Sequence, residues 1–259
     1  MKSIRSILLI ALLQAVSVTS VFAADELAQI KSAGVFKVGT EGTYAPFTYH
    51  DESGKLTGFD VDIASAIAQR LGVKPEFVEG KWDGLIAGLD VNRYDAVINE
   101  VSVTDARKAK YDFSTPYITT RAVLIVRTDN TTIKTFDDLK GKKSANTLTS
   151  NFGKIAKDHG ADVVGVQGFN ESIDLLTSGR VDATINDSLS FLDFKKHKPD
   201  AQVKIVATDS SSDADQSAVL LRKGDPALVA AIDKALADIK ADGTYAKISE
   251  KYFGKDVSQ

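Results

Sequence analysis

From residue 35 to residue 254 the chain alternates short apolar runs with stretches whose apolar residues recur every three or four positions. The first run, Val35-Phe36-Lys37-Val38-Gly39-Thr40, predicts a β-strand that ends at the turn-forming segment Gly42-Thr43-Tyr44-Ala45-Pro46. Phe59 to Leu71 places Ile63, Ile67 and Leu71 on one helical face, and Gly72 marks its end. Lys74 to Glu79 then predicts a strand, Trp82 to Leu89 a helix, and Asp95 to Val101 a buried strand. A β-α-β-α-β order is what a parallel sheet flanked by helices requires.

The pattern then repeats more loosely. Ala122-Val123-Leu124-Ile125-Val126 is continuously apolar, as a strand buried on both faces must be. After a short helix at Phe136 to Leu139 come a strand around Lys143 to Leu148, a helix from Asn151 to Lys157 and a strand from Val163 to Val166. A helix at Glu171 to Ser178 and strands at Asp182 to Asn186 and Ala218 to Leu221 follow. Asp225-Pro226 supplies a cap and a first-turn proline to a helix with Leu228, Ile232, Leu236 and Ile239 on one stripe. Asp242-Gly243 breaks it, and a last helix carries Tyr245, Ile248 and Tyr252. Two α/β units in one chain predict two lobes with a cleft between them. Ligands of open α/β sheets lie outside the carboxyl ends of strands, which here means the residues after Thr40, Glu79, Val101, Leu148 and Asn186.

Composition adds the compartment. The 259 residues, 43% of them hydrophobic, suffice for one large or two modest domains. Lys2 and Arg5 precede an apolar stretch from Ile7 to Leu13, and Val21-Phe22-Ala23 has the small-x-small form read by signal peptidase. A cleaved signal peptide over residues 1–23 is therefore expected. A membrane anchor fits less well, because Gln14 interrupts a run already far short of the roughly 20 residues that span a bilayer. With 0 Cys there is no site for a lipid anchor and no disulfide, so the expectation is a soluble periplasmic protein held by its core. The net charge of −3 becomes more acidic once Lys2 and Arg5 leave with the signal, and no basic cluster suggests nucleic acid as a partner.

The strand-end loops carry the candidate chemistry. Thr104 is a good N-cap, which puts Arg107 in a first helical turn where a cation opposes the helix dipole. An anion at that place would explain it, since the guanidinium fork grips a carboxylate through parallel hydrogen bonds. An ion pair with Asp105 or Asp112 would explain it equally well. Thr149 and Ser150 offer hydroxyls and free N–H groups at a helix start, either for a carboxylate or as a plain cap. Asp187, between a buried strand and a helix, could accept from an ammonium group or cap the helix. Tyr44 and Trp82, the only Trp in the chain, are core aromatics or walls for apolar ligand surface.

The chain resembles the periplasmic polar-amino-acid-binding proteins of ATP-driven (ABC) importers, the family 3 solute-binding proteins. The resemblance covers everything after the signal. Its landmarks are Gly42-Thr43-Tyr44-Ala45-Pro46-Phe47, Leu56-Thr57-Gly58-Phe59-Asp60-Val61-Asp62, Thr104-Asp105-Ala106-Arg107-Lys108 and Tyr111-Asp112-Phe113-Ser114-Thr115-Pro116-Tyr117. Leu139-Lys140-Gly141-Lys142, Asp242-Gly243-Thr244-Tyr245 and Tyr252-Phe253-Gly254 complete the set. Lys81-Trp82-Asp83-Gly84 with Val97-Ile98-Asn99-Glu100-Val101 is most similar to the cystine-binding branch.

That resemblance implies an α/β, two-lobed periplasmic binding protein fold (type II), each lobe a mixed sheet flanked by helices, with two hinge strands. The lobes would be residues 25–118 with 216–259, and residues 119–215, with crossings near Tyr117 to Arg121 and Asp215 to Ser217. It also implies that Arg107 holds an α-carboxylate with help from Ser102 and the helix start at Ser150, that Asp187 holds the α-ammonium, and that Tyr44 and Trp82 flank the side chain. Two departures stand out. Ala145, Thr147 and Thr149 replace family glycines, and Glu100 replaces a small or neutral residue. Glu100 faces either the cleft, as a site for a second ammonium, or the hinge.

The implied function is a monomeric receptor that closes on an L-amino acid, cystine favoured, and delivers it to an ABC permease without catalysis, cofactor or metal. The alternatives are a periplasmic enzyme on the same fold, such as a prephenate or arogenate dehydratase, and a ligand-sensing subunit of a signalling system. His50, His159 and His197 are poorly placed for acid-base work, which weighs against the enzyme.

Overall fold

The computed structural model of the protein describes residues 25–209 and 215–257, so the expected signal segment 1–23 lies outside the described residues. The chain begins with α1 (Glu26–Ala33) and β1 (Val35–Thr40), then a small antiparallel patch of β2 (Thr43–Tyr44), β3 (Thr48–His50) and β4 (Leu56–Thr57). Next come α2 (Phe59–Leu71), β5 (Lys74–Glu79), α3 (Trp82–Leu85), α4 (Ala87–Asp90), β6 (Ala96–Val97), α5 (Asp105–Lys108), β7 (Tyr111–Phe113) and β8 (Ile118–Thr120). The second unit holds β9 (Ala122–Arg127), a 3-10 turn at Phe136–Leu139, β10 (Lys143–Asn146), α6 (Asn151–Asp158) and β11 (Asp162–Gly165). It continues through α7 (Phe169–Thr177), β12 (Ala183–Asp187), α8 (Ser188–His197) and β13 (Val203–Thr208). The chain returns through β14 (Asp215–Ser217) to β15 (Leu220–Arg222), α9 (Pro226–Ala241) and α10 (Thr244–Phe253).

Two five-stranded sheets result, in the orders β5-β1-β6-β15-β7 and β11-β10-β12-β9-β13. In each, the three strands of the β/α run are parallel, so their carboxyl ends share one edge, and antiparallel strands complete the sheet. Both sheets are thus mixed, where the alternation of elements alone predicts parallel ones. Between them β8 and β14 pair as a two-stranded antiparallel ribbon.

Several predicted elements change in the folded chain. The helix expected from Trp82 to Leu89 is two short turns, and the strand expected from Asp95 to Val101 ends at Val97. Glu100 has φ +50°, a left-handed conformation that no strand can include, so pairing stops before it. β13 was not anticipated: only Val203 is buried, and the strand lies at the sheet edge against β9.

The first unit is held by α2 against α9 and α10, with Phe59, Ile63, Ile67, Ile232, Leu236 and Ile239 sealed from solvent. Asp225, itself buried, terminates two helices at once. Its Oδ1 accepts the Leu228 N–H of α9 at 2.9 Å, and its Oδ2 accepts the Glu26 and Leu27 N–H groups of α1 at 2.8 and 3.3 Å. Each donor would otherwise be an unpaired helix-start amide. Asp225→Ala is expected to lower the unfolding free energy by about 2–4 kcal/mol, with Asn recovering part of it. Urea denaturation followed by circular dichroism measures this, and a loss below about 0.5 kcal/mol would contradict the double cap.

Candidate functional site

Between the two sheets lies a cavity. Its lining comes from the carboxyl ends of strands in both units. The first contributes Glu41, Thr43 and Tyr44 after β1, Trp82 after β5, and Asn99 and Glu100 after β6. The second contributes Thr147 and Ser150 to Phe152 after β10, Gly168 and Phe169 after β11, and Asn186 near the end of β12. Parallel strands bring these loops together because all point the same way along the sheet.

The first wall is acidic and aromatic. Asn99 donates its amide to Glu41 Oε2 at 2.7 Å and accepts the Glu41 N–H at 2.8 Å, which pins this carboxylate beside the cavity. Burial pushes the Glu41 carboxyl up to about 7, opposed by the Asn99 hydrogen bond. Trp82, only 7% exposed, has the Arg107 guanidinium over its ring at 5.4 Å, and its buried indole N–H has no hydrogen-bond acceptor among the described residues. Glu100 is 6% exposed. Its N–H is held by the Asp60 carboxylate at 2.6 Å and the Tyr117 hydroxyl at 3.1 Å, while its Oε1 accepts from Thr120 of β8 at 3.0 Å. Glu100 therefore meets both settings weighed for it: it lines the cavity and bonds to the ribbon between the units.

On the second wall, α6 starts against the cavity. Ser150 caps it, accepting the Gly153 N–H at 3.0 Å and donating to the Thr147 carbonyl at 2.9 Å. A Cβ at Gly153 would lie 2.4 Å from that carbonyl, so only glycine lets the helix begin this close to the loop. Asn186 accepts the Tyr44 hydroxyl at 2.9 Å across the cleft, and Ser190 Oγ donates to the Ala45 carbonyl at 2.9 Å. The two units are therefore in direct contact.

Of the eight residues singled out from the sequence, Tyr44, Trp82, Glu100 and Ser150 line the cavity. The other four lie elsewhere. Ser102 is drawn into a β-bridge with Ser217, and its carbonyl accepts Arg107 Nη1 at 2.8 Å. That bond and the Trp82 face hold Arg107 beside the cavity, while Thr104 caps its short helix as expected. Thr149 is taken up by Asp83, whose Oδ1 accepts its N–H at 3.0 Å and its hydroxyl at 2.9 Å. Asp187 is sealed from solvent and caps α8, its Oδ1 accepting the Leu189 and Ser190 N–H groups at 2.7 and 3.2 Å. Glu41, Thr43, Asn99 and Asn151, polar residues of the strand-end loops read from the sequence, also line the cavity, and Thr147, Phe152, Gly168, Phe169 and Asn186 complete the wall. Phe169 was within reach: the Val163 to Val166 run is a predicted strand, and its carboxyl end obeys the same rule as the others.

Residues 36–255 match the family described as bacterial extracellular solute-binding proteins, family 3. The L-cystine-binding protein TcyA of Bacillus subtilis is 47% identical over 236 residues, which are 91% of this chain and 87% of that protein. An ancestral arginine-binding protein bound to arginine superposes with a TM-score of 0.80 at 43% identity, over 85% of this chain and 99% of its own. The L-cystine solute receptor of Neisseria gonorrhoeae, unliganded and open, superposes with a TM-score of 0.60 at 45% identity, over 90% of this chain and 99% of its own. Among the described residues, no helix is long and apolar enough to cross a membrane.

The buried carboxyls imply a pH dependence. Besides Glu41, burial pushes Asp60 up to about 8 against the hydrogen bonds from Glu100 and Tyr117. A carboxyl whose pKa is higher folded than unfolded binds more protons when folded, so stability is lost as pH rises between the two values. For Glu41 that window runs from about 4.5 to about 7. The stability difference between Glu41→Gln and the native protein should therefore shift in favour of the variant by about 1–3 kcal/mol from pH 5 to pH 8. Urea midpoints at four pH values check this, and a constant difference would refute it.

Proposed function

Because the chain belongs to the bacterial extracellular solute-binding proteins, family 3, we propose that it is a receptor that captures an L-amino acid between its two units and hands it to the permease of an ABC importer. The observation that carries this reading is the division of charge around one cavity. Glu41 and Glu100 make part of the wall acidic, while the Arg107 guanidinium over Trp82 and the start of α6 supply positive potential. A zwitterion satisfies both ends, and Tyr44, Trp82 and Phe169 cover its apolar part. Arg107, with Ser102 holding its guanidinium, takes the α-carboxylate alongside Ser150, and Asp187 takes the α-ammonium.

L-cystine is the favoured ligand. Two acidic residues at one cavity suit a ligand with two ammonium groups, and the similar proteins of B. subtilis and N. gonorrhoeae are named for L-cystine. A basic amino acid is the second reading, favoured by the same acidic wall. The lobes are residues 25–118 with 216–259, and residues 119–215, and the ribbon of β8 and β14 is the hinge. A ligand that touches both lobes only when they are shut drives closure by its differential affinity. The receptor works in the periplasm as a monomer after signal cleavage following Ala23, without catalysis.

The single Trp makes intrinsic fluorescence a reporter of this site. Titration with L-cystine, L-arginine and L-glutamine, checked by thermal shift, should show saturable binding that raises the melting temperature. Arg107→Ala should abolish it. Glu100→Gln should weaken L-cystine about tenfold or more while changing L-glutamine little. Failure of every amino acid to bind the native protein, or undiminished affinity in Arg107→Ala, would overturn the reading or its carboxylate anchor respectively.

A further inference from the structure

At the mouth of the cleft the two units are joined by a contact built from protein atoms alone. Asp83, next to Trp82 in α3, reaches across to the loop between β10 and α6. Its carboxylate accepts three hydrogen bonds there: the Leu148 N–H at 3.4 Å, the Thr149 N–H at 3.0 Å and the Thr149 hydroxyl at 2.9 Å. Two successive backbone N–H groups and a hydroxyl form a receptor for an anion, and Asp83 fills it from the opposite unit. Each end of the contact is one residue from the cavity wall, Trp82 on one side and Ser150 on the other.

We infer that Asp83 is a ligand-independent latch, a positioning residue that holds the cleft shut and thereby sets how long a bound ligand stays. This rests on the receptor reading proposed above. The physical argument is one of populations. A ligand gripped by both units binds the shut form, so its apparent affinity scales with the fraction of molecules that are shut. A contact that exists only in the shut form raises that fraction without touching the ligand. Charge-assisted bonds to N–H groups are the stronger kind, but Asp83 and Thr149 are exposed and water competes for them, so the effect is moderate. The same contact explains why Thr149 lies off the cavity wall: its donors already have a carboxylate, and that carboxylate belongs to the protein.

The test is stopped-flow Trp82 fluorescence with L-cystine and L-arginine on the native protein, Asp83→Ala, Asp83→Asn and Thr149→Val. Asp83→Ala should release ligand about fivefold to thirtyfold faster, with association changed less than about twofold and the melting temperature of the unliganded protein preserved. Asp83→Asn should fall between, because its amide oxygen still accepts one N–H. Thr149→Val should speed release in the native background and add less in Asp83→Ala, the mark of a direct contact. Unchanged release in Asp83→Ala would overturn the latch while leaving the receptor reading intact. If neither ligand binds the native protein, the receptor reading fails instead. The radius of gyration from X-ray scattering then decides: a larger value for unliganded Asp83→Ala than for the native protein supports the latch, and equal values overturn it.

Discussion

The Asp60 carboxylate, buried at the start of α2, accepts the Glu100 N–H at 2.6 Å, and the rest of the site is arranged around that bond. A non-glycine residue at φ +50° costs free energy and persists only where its surroundings hold it. Here Asp60 and the Tyr117 hydroxyl hold it from one side. The result is a sharp end to β6. Asn99 turns back to grip Glu41, Glu100 turns its carboxylate to the cavity and to Thr120, and Ser102 pairs with Ser217 beside the ribbon. Cavity wall and ribbon therefore share one backbone segment, and a group bound at Glu100 acts on the element that joins the two units.

Desolvation explains why this segment is sensitive to charge. Asp60 sits where its ionised form is disfavoured, and one of its oxygens, Oδ1, has no hydrogen-bond partner among the described residues. Glu41 is raised for the same reason, and nearby Asp83 adds to it by repulsion. Acidic groups held close together away from water repel one another, which raises their pKa values. Direct contacts such as Tyr44 to Asn186 align the units.

Where local pattern alone decides the structure, the sequence was readable. β1, α2 and β5 occupy the residues that periodicity assigns them, and Asp225-Pro226 starts α9 as its cap chemistry dictates. The strand-end rule points to the loops that carry Tyr44, Trp82, Glu100 and Ser150, all of which line the cavity. It failed where a residue's partner comes from far along the chain. Asp95 to Val101 has the composition of a full strand, but Asp60, forty positions earlier, ends it after Val97. Val203 to Thr208 lacks a clean alternation because an edge strand buries little, and its identity comes from β9.

The difference between what was legible and what was not is one of range. Helix caps, apolar periodicity and turn residues act over a few positions, so the amino-acid order by itself determined the two α/β units and the family to which they belong. The assignment of polar side chains to ligand, helix or opposite unit depends on which donors arrive first in three dimensions. Asp187 is a cap because the α8 amides reach it, Thr149 is bound because Asp83 reaches it, and Glu100 faces two ways because Asp60 bends its backbone. Those decisions belong to the tertiary structure, since a hydrogen bond is specific in distance and angle and indifferent to separation along the chain.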